Sequence, residues 1–366
     1  MLYVCDENFK RLGIIGSFSY LLWRKRYTSH GEAELHVDVS MKNIELLQKG
    51  NILFRKDDNE AMYIYYRGFT EDNSGNDQLV IKCFTVVRWF DRRILWEKYN
   101  FQDTPDNIIR HMVFFTCLNP TDKRRVIPGL NFPYKPILEE VIQFQISYAN
   151  LLEQIESLCN TYELGIKSVF DGKNLSFDLY KGTDRTINQS MNPRCILSKN
   201  FSNVLSRNYE EADNDFKNTV LVAGAGEDAA RKLASIEQGS GLSRRELFVD
   251  ARDLSATKKV GEEEVPISDE EYTLLLKQRG LEKLLEYEEF ISFDCEIDVT
   301  KDNTKYGRDF FLGDIITIRD DTLGVIMNSR IVEADEIYRN SVKSLVVKVG
   351  KSVPTLPEKV KRMVKS

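Results

Sequence analysis

Polar and apolar residues alternate through much of the first hundred positions. Leu35, Val37 and Val39 are interleaved with Glu34, His36, Asp38 and Ser40, the period of a strand with one buried face. Residues 51–54 and 62–66 are short runs rich in β-formers, and the charged stretch 56–60 between them predicts a hairpin. A turn containing Gly75 is expected at 73–77, followed by a strand over 79–87. The apolar stretch 12–23, diluted by Gly16, Ser17 and Ser19, reads as a strand–turn–strand. It has the length of a secretion-signal core. However, Asp6 and Glu7 precede it, and Arg24, Lys25 and Arg26 stand where a small-residue cleavage site belongs.

The period then changes. Thr104 before Pro105 predicts a helix start, with Ile108, Ile109, Met112, Val113 and Phe115 giving an apolar face. Pro120, Pro128, Pro133 and Pro136 make 119–136 a loop. Tyr148, Leu151, Leu152, Ile155, Leu158, Cys159 and Tyr162 recur at helical spacing, and the helix is expected to stop at Gly165. Residues 166–170 and 175–180 flank Asp171-Gly172-Lys173-Asn174 as a hairpin. Strands are expected again at 218–223 and 245–249, and a charged loop at 258–266. Ser268-Asp269-Glu270-Glu271 is a capping box that opens a helix, expected to bend or break near Gly280. Residues 290–299, 314–318, 324–334 and 344–349 read as closing strands, with turns at 302–303, 313–314 and 320–321. The expected fold class is α+β and β-rich. The expected segments are 1–100, an N-terminal β-domain; 101–182, a small α+β unit; and 183–350, a second β-domain with a helical insertion at about 252–289. A basic, proline-punctuated tail over 351–366 completes the chain.

Composition narrows the function. The 366 residues carry 51 basic and 57 acidic side chains, a net charge of −6, which argues against a dedicated DNA binder. No apolar run reaches the roughly 18 residues of a membrane span. Cys5, Cys83, Cys117, Cys159, Cys195 and Cys295 are too far apart for a zinc knuckle and read as buried, reduced thiols. His30, Glu32, Glu34 and His36 share one strand face. They span about 20 Å, too far for one ion, so no metal site is assigned. Three histidines and no G-x-S-x-G give no nucleophile signature. No carboxylate pair among the 57 acids is singled out as a glycosidase dyad.

One stretch imitates a dinucleotide fingerprint. A strand leads into Gly224-Ala225-Gly226-Glu227-Asp228-Ala229, a helical start over 229–236 follows, and Asp250 ends a later strand where a ribose-binding acid would stand. Gly224, Gly226 and Asp250 are therefore the cofactor-binding alternative. Against it stand Glu227 and Asp228, placed where a diphosphate would sit, and the absence of a surrounding βαβ repeat. The runs Trp23-Arg24-Lys25-Arg26-Tyr27 and Arg88-Trp89-Phe90-Asp91-Arg92-Arg93 interleave aromatics with bases. They suit a nucleic-acid strand, strand ends with snorkelling arginines, or a subunit interface.

The order of landmarks carries a resemblance. Trp23-Arg24 and Tyr27 precede Gly31-Glu32-Ala33-Glu34-Leu35, the hairpin at 62–67 and Arg92-Arg93-Ile94-Leu95. After the helix at 148–158 come Asp171-Gly172, residues 177–184, Phe201-Ser202 and residues 218–226. Arg245-Glu246, Val249-Asp250-Ala251-Arg252, Gly313-Asp314-Ile315-Ile316 and Arg330-Ile331-Val332-Glu333 complete the series. Over nearly its whole length the chain resembles the siphophage and prophage tail proteins that form the baseplate hub. The resemblance implies two tube-type β-domains, barrel- or sandwich-like, with small α/β and helical segments inserted. It also implies a non-enzymatic homotrimeric ring without a cofactor. Such a ring joins the tail tube protein to distal tail and fibre or spike proteins, and DNA passes transiently through it. Under this reading Trp23, Arg24, Tyr27, Arg92 and Arg93 are interface candidates. The location implied is a virion tail or tail-like particle, after synthesis in the bacterial cytoplasm. Many such proteins continue into fibre or wall-degrading modules. Because this chain stops at Ser366, any catalytic module is expected on another chain. The other readings are a nucleotide-binding enzyme using 224–229 and a tail-resident cell-wall hydrolase.

Overall fold

The computed structural model describes residues 1–71, 77–260, 263–300, 304–339 and 342–350. In chain order its first strands are β1 (Leu2–Cys5), β2 (Arg11–Ile15), β3 (Tyr20–Arg26) and β4 (Glu32–Asp38), then helix α1 (Met41–Leu46), β5 (Ile52–Phe54), β6 (Ala61–Glu71) and β7 (Asp77–Thr85). Next come β8 (Tyr99–Asp103), α2 (Pro105–Val113), β9 (Leu130–Asn131), β10 (Ile142–Ile146), α3 (Leu151–Thr161), β11 (Gly165–Phe170) and β12 (Leu175–Tyr180). The strands β13 (Ile196–Leu197), β14 (Val204–Ala212), β15 (Thr219–Ala223), β16 (Leu233–Ile236), β17 (Glu246–Asp250), β18 (Thr257–Val260) and β19 (Glu263–Pro266) follow. The last elements are α4 (Asp269–Leu285), β20 (Phe290–Ile297), β21 (Ile315–Asp320), β22 (Val325–Arg339) and β23 (Val342–Gly350).

The chain forms two compact units, each discontinuous in sequence. Among the described residues, the first gathers those of 1–85, 181–212 and 290–350; the second gathers those of 86–180 and 213–289. Segmentation along the sequence, with boundaries near 100 and 182, follows chain order instead.

The first unit is built on one large antiparallel sheet in the order β14-β20-β23-β22-β3-β4-β7-β6-β5-β1-β2, with β21 joined to β22 and β13 to β21. The expected alternation is present: Leu35 and Val37 are buried, and Asp38 is exposed. Leu2, Val4, Ile15, Leu21, Trp23, Leu35, Leu53, Met62, Ile64 and Ile81 form one core. The first eighty-five residues supply β1–β7, and the late strands supply the rest. Strands β3 and β22 join the two groups, Arg24 opposite Asp335 and Arg26 opposite Glu333.

The second unit holds the α+β pieces. Helix α3 starts at Asn150, whose side chain accepts the Glu153 N–H, and ends at Thr161, ahead of Gly165. Gly165 opens the next strand rather than capping the helix, because β11 begins there to pair with β12. Pro105 begins α2 as expected, though Thr104 makes no side-chain cap bond. Residues 258–266 include the β18–β19 pairing rather than a loop alone. In α4, Ser268 accepts the Glu271 N–H, as the capping box predicts. The helix runs unbroken through Gly280, so the break allowed for there is not formed. A Cβ there would lie 2.8 Å from Val222 Cγ2, so glycine is needed for close packing on β15. Residues 73–76 of the turn expected at 73–77, the turn expected at 302–303, and the tail over 351–366 lie outside the described residues; Asp77 opens β7.

Candidate assembly surface

The β3–β22 seam of the first unit is lined by ion pairs on both faces of the sheet. Alternation puts Arg24 and Arg26 on one face of β3 and Trp23 and Lys25 on the other. On the first face, Arg24 Nε and Nη2 donate to Asp335 at 2.7 and 2.6 Å, a bidentate pair. Arg26 Nε donates to Glu333 at 2.8 Å. Glu32 Oε1 accepts from Arg24 and Arg26 at 2.7 and 2.9 Å, and Lys348 Nζ reaches Glu333 at 2.6 Å. Glu333 and Asp335 are buried. The hydrogen bonds to Asp335 hold the Arg24 pKa above its ordinary value despite burial. For Glu333, burial works upward but Arg26, Arg24 and Lys348 outweigh it, and its pKa is lowered.

On the opposite face Arg55 Nη2 donates to both Glu336 oxygens at 3.1 and 3.2 Å, and its guanidinium carbon lies 5.2 Å from the Trp23 ring centroid. Lys343 Nζ adds a contact of 2.6 Å to Glu336. Burial pushes the Glu336 pKa up, but Arg55 and Lys343 more than reverse this, and it is lowered to about 2. Lys25 pairs with Asp58 at 3.0 Å. These pairs align the two strand groups and fix their register, because a one-residue slip would bring Arg24 opposite Ala334 or Glu336. Arg55, Asp58, Asp335 and Glu336 were not singled out from the sequence, and Glu333 stood only as the end of a landmark run, with no role given to it. The available signal was the match between Arg24-Lys25-Arg26 and Glu333-Ala334-Asp335-Glu336, two opposite-charge runs in β-forming sequence.

The expected interface residues fall in both units. Trp23 and Tyr27 have no exposed surface in the chain, so their side chains are used internally. Trp23 belongs to the core, and the Tyr27 hydroxyl accepts the Gly182 N–H at 3.2 Å. Arg24 is committed to the seam. Arg92 is exposed and lies 5.8 Å from the Trp89 ring, while Arg93 Nε donates to the Arg125 carbonyl at 3.0 Å. The shared face of 30–36 is engaged locally: His36 Nε2 is within hydrogen-bond distance of Glu34 at 2.7 Å, and Lys82 Nζ lies 3.6 Å from Glu34. Among the described residues no group of His, Cys, Asp and Glu has metal-holding geometry.

The glycine-rich stretch departs from the dinucleotide pattern. After Gly226, at φ +104°, the backbone makes one short 3-10 turn over Asp228–Ala230 and enters β16; the helix expected over 229–236 is not formed. Strand β16 pairs back on β15 because Leu233 to Ile236 extend opposite Ala223 to Val220. A pyrophosphate would therefore meet no helix N-terminus at this turn. Arg231 occupies the strand ends, donating to the Gly224 and Ala223 carbonyls at 3.0 and 2.8 Å and to Asp250 at 2.6 Å. The glycine has a packing reason. The Tyr272 hydroxyl of α4 accepts the Ala225 N–H at 2.8 Å and donates to the Leu254 carbonyl at 3.0 Å. A Cβ on Gly224 would lie 2.4 Å from that hydroxyl. Gly224→Ala is expected to destabilise the second unit by about 1–3 kcal/mol, measured as a lower urea midpoint. Tyr272→Phe in the same background should relieve part of that loss.

This architecture is a β-rich tail-protein fold. The tail protein of Neisseria meningitidis MC58 is similar at TM-score 0.59 and 9% identity, with 96% of each chain covered. Prophage tail protein gp18 of Listeria monocytogenes EGD-e is similar at TM-score 0.56 and 12% identity, covering 100% of this chain and 98% of that one. The 43 kDa tail protein of prophage MuSo2 from Shewanella oneidensis gives TM-score 0.56 and 11% identity over 96% and 98%. The chain belongs to the Siphovirus ReqiPepy6 Gp37-like protein family, whose model matches residues 1–351. No curated protein matches it in sequence.

Proposed function

We propose that this chain is a non-enzymatic structural component of a phage tail or tail-like particle. Three copies close into a baseplate-hub ring. The ring joins the tail tube protein to the distal tail and fibre or spike proteins and leaves a passage for DNA. The two strand groups that meet at β3–β22 are read as the two tube-type β-domains, and the second unit as the inserted α/β and helical pieces. Trp23 and Tyr27 act from inside, holding the surface that neighbours meet. Arg92, exposed on the second unit, remains a direct contact candidate, with Arg93 holding the adjacent backbone. The particle tail is the proposed location, after synthesis in the bacterial cytoplasm. No helix among the described residues is long and apolar enough to cross a membrane.

The observation that carries this reading is the charge-matched seam running through one large sheet, in a chain of the siphovirus Gp37-like family. Negative-stain images of the purified chain should show closed three-part rings, and a zymogram on cell walls should show no clearing. Open chains of variable length would overturn the ring, and clearing would favour a tail-resident hydrolase.

A further inference from the structure

The large sheet of the first unit has open edges. Among the described residues strand β14 is terminal and pairs with β20 alone. Strand β6 is open along its second half. Its first residues pair with β5, up to Tyr63 opposite Ile52, and the Ile64 backbone bonds residues 50 and 51. From Tyr66 to Glu71 the ladder runs, among the described residues, to β7 only. Unpaired strand edges are templates for another strand, and this stretch carries exposed aromatics, Tyr66 at 45% and Phe69 at 63%.

Resting on the ring reading, we infer that β14 of one copy adds antiparallel to the outer half of β6 of the next, with Phe69 opposite Tyr209. Charge selects this register. It brings Arg67 opposite Glu211 and Glu71 opposite Arg207, so both charged positions meet their opposites on either side of an aromatic pair. All six residues then share one face. Phe69 and Arg67 stand beside the buried Leu79 and Ile81 of β7, and Tyr209 lies 5.9 Å from the buried Phe293 ring. The contact repeats between copies what β3–β22 makes within the chain, where Arg24 faces Asp335 and Arg26 faces Glu333. In the isolated chain these charges rest on local partners. Arg67 donates to Gln48 and the Ile44 carbonyl, Glu211 accepts the Tyr209 hydroxyl, and Arg207 lies beside Asp320. Of the other terminal strands among the described residues, β2 reads Arg-Leu-Gly-Ile-Ile and β13 reads Ile-Leu, and neither has an acid to meet Arg207. Since β14 and β6 are different surfaces, the contact is head-to-tail and closes only as a ring.

The test pairs cysteines across the seam in the full chain. The Phe69→Cys, Tyr209→Cys double variant, and independently Thr70→Cys, Asn208→Cys at the adjacent exposed positions, are oxidised with copper phenanthroline. Non-reducing gels should show disulfide-linked dimers and trimers. Each single variant should stay uncrosslinked, like the wild type, whose described cysteines are all buried. Mixing the Phe69→Cys and Tyr209→Cys single variants should give dimers only. Glu211→Arg should lower the oligomer fraction at least tenfold, and adding Arg67→Glu should restore it. An oligomer by light scattering in which neither cysteine pair crosslinks overturns the edge assignment and leaves the ring standing. A chain that stays monomeric at its highest soluble concentration overturns both.

Discussion

Trp23→Ala should lower stability by about 3–5 kcal/mol and the melting temperature by roughly 10 °C. Trp23 is wholly buried and packs with Leu21, Leu35 and Ile81 around it in the core. Removing the indole leaves a large cavity and takes away the ring beneath Arg55, whose charge stays buried. Trp23→Phe is the informative partner. Among the described residues the indole N–H has no hydrogen-bond acceptor, so phenylalanine gives up no polar contact and should cost about 1–2 kcal/mol. Calorimetry of both variants checks this. Equal, small losses would mean that Trp23 does not stand in the core and meets a neighbour directly.

The second large effect is on acid stability. Glu336 is depressed to about 2 in the folded chain, against 4.5 for its ordinary value. Its stabilisation is therefore complete above pH ~4.5 and is lost as pH falls through that range toward 2. A shift of this size corresponds to about 3 kcal/mol. Glu333 and Glu32, also lowered, act in the same direction. Asp294 acts oppositely: burial, Glu333 and Glu210 raise its pKa, so it offsets part of the loss. Urea unfolding at pH 7 and pH 3 should differ by several kcal/mol in the wild type. Glu336→Gln should be less stable at pH 7 by about 3 kcal/mol, since it takes the shared acid from Lys343 and leaves the buried Arg55 with Asp57 and Asp58 alone of its acids. It should also depend less on pH. A wild type equally stable at both pH values would contradict the buried pair.

Local structure was legible where a period or a cap dictated it. The alternation at 34–40, the hairpin around Asp171-Gly172-Lys173-Asn174, and the capping box at Ser268 each correspond to observed elements. What the sequence hid is long-range. Asp335 lies 311 residues from Arg24, and no local pattern shows that β22 pairs with β3 rather than with a nearer strand. Gly280 reads as a helix breaker because its reason lies in Val222 of another element. The stretch after Gly226 reads as a nucleotide loop because Ala229 to Ile236 suits a short helix as well as a turn and a strand. Pairing with β15 decides between them. The interface residues were read from interleaved aromatics and bases and from the family resemblance, neither of which separates the core Trp23 from the exposed Arg92.

The native mass of the purified full chain, followed by light scattering across a concentration series, tests the central claim most directly. The account predicts a limiting mass of three times 42.4 kDa, reached without larger species because a closed ring of three pairs every β14 with the β6 of a neighbour. A mass of one subunit at every concentration would contradict it, as would continued growth to long open polymers.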